Sequence, residues 1–130
     1  MTIDRFALGE KIRTEVLGPE YVATSTANSD PLTEPLREFA IKNLWGDIWA
    51  RPGLDRRARS IVNLALLAGA SRAAELKIHV RAALNNGLSR EEIMEIFLQV
   101  SLYSGIPTGS DATRIAKQTF NEIDDQKKDA

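Results

Sequence analysis

The chain has 130 residues, 43% of them hydrophobic and 27% charged, which is the size and composition of one globular domain with its own core. Lys and Arg total 17 against 18 acidic residues, and a net charge of -1 carries no footprint for nucleic acid or a membrane surface. With no cysteine and one histidine, thiol catalysis and a conventional zinc site are excluded, so any chemistry runs through Glu, Asp, Arg, Ser or that imidazole.

The hydrophobic period is helical throughout, with no strand-like alternation, and predicts an all-α single-domain bundle of about six helices over residues 1–130. A first helix is expected over residues 3–17, stopped by Gly18-Pro19, with residues 19–30 as a connecting loop. Asp30 caps a second helix with Pro31 at its first position, and Leu36, Phe39, Ala40, Leu44 and Ile48 mark its apolar face until Arg51-Pro52-Gly53 breaks it. Asp55 caps a third, whose Ile61, Leu64, Ala65, Ala68 stripe is joined by Val62, Leu66 and Leu67, so that it reads as apolar nearly all round and central. Its apolar run over 61–70, interrupted only by Asn63, falls far short of the ~20 residues of a spanning helix. No charged-then-apolar leader opens the sequence, and the expected compartment is the cytoplasm.

The fourth helix covers about 72–86 and ends at Gly87; Ser89-Arg-Glu-Glu92 is a capping box opening a fifth through Ile93, Ile96, Phe97 and Val100, ended by Gly105-Ile-Pro107. A sixth is expected from about Ser110 to Ile123, followed by a frayed polar tail over 124–130. On the fourth helix Glu75 and His79 lie one turn apart at the edge of the Leu76, Val80, Ala83 stripe. Arg81 falls on the opposite side, since two residues turn a helix by about 200°. On residues alone His79 reads first as a structural histidine and only second as a catalytic one, Glu75/His79 can be an ordinary helix pair, and Trp45/Trp49 read first as core.

The strings Trp45-Gly-Asp-Ile-Trp49-Ala-Arg51-Pro-Gly-Leu54, Arg59-Ser60, Glu75-Leu-Lys-Ile-His79-Val-Arg81, Asn85-Asn86-Gly87 and Ser101-Leu-Tyr103-Ser-Gly105-Ile-Pro107 resemble, in this order, the gamma-carboxymuconolactone decarboxylase family. The likeness begins at Arg13-Thr-Glu-Val-Leu-Gly18 and loosens after Pro107. It implies an alkylhydroperoxidase-like fold. The superfamily's peroxidase branch carries a Cys-x-x-Cys pair seven and four residues before a histidine. Here Arg72 and Glu75 hold those positions, so peroxide reduction is not carried over.

The resemblance implies loss of CO2 from 4-carboxymuconolactone to give the 3-oxoadipate enol-lactone in aromatic-acid degradation, with no cofactor and no metal. It implies His79 as acid or hydrogen-bond donor with Glu75 as its orienting or relaying neighbour, and a cation for the substrate's carboxylates. Arg51 and Arg81 rank first for that task, then Arg59, with Arg72 also a candidate; Trp45 and Trp49 are candidate walls, and Ser60 and Tyr103 weaker pocket-lining residues. It also implies a homo-oligomer, a hexamer first and a trimer next, with a site shared between subunits if both His79 and Arg81 take part. Another enzyme on the same scaffold acting on a different small acid or lactone, and a non-catalytic helical oligomer, stay open.

Overall fold

The structure, a computed structural model, describes residues 2–129. Among these the chain forms seven α-helices and no strand, in two compact units, one ending at Arg56 and the other beginning at Arg57. None of the helices is long and apolar enough to cross a membrane.

In the first unit α1 (Arg5–Leu17) is opened by the Asp4 carboxylate, which accepts the Ala7 N–H at 3.0 Å, and closed at Gly18. The expected loop over 19–30 is instead helical: α2 (Pro19–Ala27) starts at once, with Pro19 in its first turn, where a missing N–H costs nothing. The Arg13 guanidinium donates to Ser25 Oγ at 2.9 Å, holding α2 to α1. Asp30 caps a turn rather than the helix itself. Its carboxylate accepts the N–H groups of Leu32 and Thr33, and α3 begins only at Glu34 (Glu34–Ala40).

The apolar face expected along this segment is corrected by a π turn, Ile41–Trp45, in which the Gly46 N–H reaches back five residues to the Ile41 carbonyl. One inserted residue rotates everything after it by about 100°. Ile41, Trp45 and Trp49 therefore face inward, while Leu44 and Ile48 turn outward; Leu36 and Phe39 of α3 are exposed as well. α1 crosses the π turn at Gly9, where a Cβ would stand 2.0 Å from the Ile41 carbonyl oxygen, so the approach requires glycine.

The second unit holds α4 from Arg57 on (Arg56–Gly69), α5 (Ala73–Asn85), α6 (Arg90–Ser104) and α7 (Ile106–Lys128). Its core is Leu64, Ala68, Leu76, Val80, Ala83, Leu88, Ile93, Phe97, Val100, Ala112, Ala116 and Phe120. α4 buries only the face of Ser60, Leu64 and Ala68; Val62 and Leu66, one turn apart, are exposed, so the helix is not enclosed all round. The Ser89–Glu92 capping box forms as expected, and Gly87 takes the left-handed conformation that ends α5.

Two corrections concern α7. Pro107 lies in its first turn, so the helix begins directly after Gly105 rather than near Ser110. It also runs on through the expected polar tail to Lys128. Arg90 grips the Asp124 carboxylate with two nitrogens, at 2.6 and 3.1 Å, and stacks over the Phe120 ring; Lys77 pairs with Glu122 at 2.8 Å. Ala130, the last residue of that tail, lies outside the described residues.

Candidate active site

The lone imidazole is set between α4 and α5. His79 is 7% exposed, although Glu75, one turn earlier, is on the surface. The side-chain amide nitrogen of Asn63 on α4 lies 3.5 Å from His79 Nδ1. Seven residues after His79, at the residue that caps the end of α5, the Asn86 amide donates to the fully buried Ser60 hydroxyl at 3.0 Å. Residues 60 and 63 are three apart on α4, and residue 86, the C-cap of α5, follows residue 79 by about two turns, so both pairs lie along one polar seam in an otherwise apolar packing.

Burial pushes the His79 imidazole down to about 4, from an ordinary value of 6.5. The ring is thus neutral at pH 7, a state in which an imidazole can donate or accept a hydrogen bond.

Of the residues singled out in the sequence, Ser60 and His79 are thus brought to one seam. Arg59, the neighbour of Ser60, is half-buried on α4. Arg81 points away, as the helical wheel requires, toward Glu122 at 3.7 Å and Gln126 at 3.2 Å on α7. Arg72 is exposed beside a small cavity of about 50 Å³ that Leu76, Thr108 and Asp111 also line. Tyr103 stands 83% exposed at the end of α6. Trp45, Trp49 and Arg51 belong to the first unit. There the two indoles stack with centroids 5.2 Å apart and are both buried, while Arg51 is exposed, 3.9 Å from Asp47.

Two residues of the seam, Asn63 and Asn86, were not among the candidates. The signal for Asn63 was present: it is the one polar side chain inside the apolar run of α4. Asn86 reads as part of a helix stop, which it is, and nothing local announces its second role. Among the described residues no three His, Cys, Asp or Glu side chains gather as metal ligands.

A family model described as the carboxymuconolactone decarboxylase family matches residues 35–118 and so runs across the boundary between the two units. The chain is 38% identical over 119 residues to a 4-carboxymuconolactone decarboxylase of Acinetobacter baylyi, covering 92% of this chain and 89% of that protein. It is 40% identical over 121 residues to a nitrosuccinic acid decarboxylase of Metarhizium robertsii, covering 93% and 85%. A third relative, an uncharacterized 15.0 kDa protein of Paracoccus denitrificans, is 31% identical over 86 residues, 64% of each chain.

An all-helical scaffold, and two decarboxylases matched over nine-tenths of its length, make this chain a carbon–carbon lyase of the carboxy-lyase class. It belongs to the carboxymuconolactone decarboxylase family, the family that its sequence resembles.

Proposed function

We propose that the chain decarboxylates 4-carboxymuconolactone to the 3-oxoadipate enol-lactone and CO2, with His79 at the reacting atoms. The observation that carries this reading is a buried imidazole, the chain's only one, on a polar seam of a scaffold shared with a decarboxylase of that substrate. The chemistry asks little of the protein. The carbon–carboxylate bond breaks at the ring carbon that bears the lactone oxygen, and its electron pair runs through the conjugated double bond into the lactone carbonyl. The substrate is its own electron sink, so neither a metal nor an organic cofactor is required for that step.

What the protein supplies is a donor to the carbonyl oxygen as charge develops there, and a proton for the ring carbon next to it. A neutral imidazole N–H suits the first task, and in a dry site its hydrogen bond is stronger than in water. Glu75, on the surface one turn away, is our candidate for relaying that proton. Arg51, Arg59 and Arg81 are the candidates for the substrate's acetate arm. Arg81 must exchange Glu122 and Gln126 for that role. Incubating the protein with carboxymuconolactone and following the ring's ultraviolet absorbance tests the assignment; a folded protein with no turnover overturns it.

The Metarhizium robertsii relative favours a second reading, a different small acid with its own acceptor. In nitrosuccinic acid the nitro group sits on a carbon that carries a carboxylate and can take the electron pair as a nitronate. The same donor-and-proton arrangement serves it. Offering both acids and measuring CO2 release separates the two readings.

The assembly belongs to the same proposal. Leu98, Leu102, Tyr103 and Ile106 are 66% to 84% exposed along the end of α6 and the start of α7, an apolar surface of the kind that subunits cover. A homo-oligomer, hexameric by family resemblance, acting as one functional domain in the cytoplasm, is the form we expect; light scattering measures its mass.

A further inference from the structure

We propose that Asn63 is a positioning residue that holds His79 in one neutral tautomer, with the proton on Nε2, so that the ring offers an N–H donor on the side away from α4. This rests on the reading that His79 works on the substrate.

A neutral imidazole carries one N–H and one bare nitrogen, and which is which follows from what the two ring nitrogens meet. Here Nδ1 faces the Asn63 amide nitrogen at 3.5 Å, a donor-only group, and that contact favours Nδ1 as the acceptor with the proton on Nε2. The second pair of the seam, the Asn86 amide on the Ser60 hydroxyl at 3.0 Å, is a further polar contact between the same two stretches of chain.

The residue type is also informative. A carboxylate at position 63 would favour the charged ring and an apolar side chain would leave the tautomer unset, whereas a carboxamide selects a tautomer without adding charge. Asn63 is moreover the one polar side chain interrupting the apolar run 61–70, and it is half-buried there.

A single histidine makes the test direct: with ¹⁵N label in histidine alone, the solid-state nitrogen spectrum of the assembled protein at pH 7 contains one imidazole. The expected spectrum is a neutral ring protonated on Nε2. A neutral ring protonated on Nδ1 in the unsubstituted protein, where no variant has to fold, overturns the proposal. In Asn63→Leu the ring is expected to become a mixture of tautomers or to move to Nδ1–H, with kcat down by at least about 10-fold and KM within about 2-fold. An unchanged ring spectrum in that variant overturns the proposal. Asn63→Asp is expected to give the doubly protonated ring. Undiminished turnover in His79→Ala removes the catalytic reading and with it the positioning role, a result distinct from the ring spectrum, which reports the hold of Asn63 directly.

Discussion

Asn86, just past the end of α5, donates its side-chain amide to the Ser60 hydroxyl on α4 at 3.0 Å, and Ser60 has no exposed surface. A buried hydroxyl used in this way ties two helices together at one point. Ser60→Ala removes the acceptor and leaves the Asn86 amide to find water, which should cost about 1 kcal/mol, read as a lower urea midpoint at an unchanged slope.

His79→Ala should lower turnover by at least about 100-fold while the helical circular dichroism is retained, the scale expected of a positioned proton or hydrogen-bond donor. Steady-state kinetics on the folded variant check it, and retained turnover moves the role elsewhere.

The buried imidazole also makes stability depend on pH. Its folded value of about 4 lies below the ordinary 6.5, so the unfolded chain takes up the proton first. The contribution is complete above about 6.5 and is lost as the pH falls from there toward 4, amounting to about 3 kcal/mol in all. Glu15, Glu38, Glu122 and Asp124, held low by hydrogen bonds to Lys11, Lys42, Lys77 and Arg90 respectively, add losses of the same sign, but below their ordinary 4.5 and 3.8. Chemical denaturation between pH 7 and 5 should therefore show a decline in the parent chain that His79→Gln flattens.

Trp45 and Trp49 stack as buried core, which predicts a stability effect whatever their distance from substrate. Trp49→Ala should cost about 3 to 5 kcal/mol, and Trp49→Phe distinctly less. If their role is packing alone, KM in the phenylalanine variant stays unchanged; a raised KM identifies a substrate wall.

Gly9 and Gly109 each stand where another part of the chain comes too close for a Cβ. A methyl at Gly9 meets the Ile41 carbonyl oxygen at 2.0 Å, and one at Gly109 runs into the Ser101 side chain, whose Cβ is 2.7 Å away. Neither neighbour swings aside freely, since one is backbone and Ser101 Oγ is already bonded to the Phe97 carbonyl. Each alanine variant should lose about 2 kcal/mol or more, against a gain of up to about 1 kcal/mol at an unhindered helical glycine; thermal melts distinguish the two.

The helical class, the stops at Gly18, Gly87 and Gly105 and the capping box at Ser89 were all legible in the sequence, because each depends on a few adjacent residues. The family was legible too, since its strings lie in order along the chain. The π turn was not: one extra residue between Ile41 and Trp45 changes which side chains face inward without changing the residue types. The length of α7 was missed for a related reason, since its polar end is held by Arg90 and Lys77, residues 34 and 45 positions away from their partners.

By itself, then, the sequence determined what depends on neighbours along the chain: helix, cap, stop, the absence of thiols and a single imidazole. Only the tertiary structure decided the charge state of that imidazole and the identity of its neighbour. Burial and the meeting of residues 63 and 79 are consequences of tertiary packing, and the helical period constrains a face without naming what lies across it.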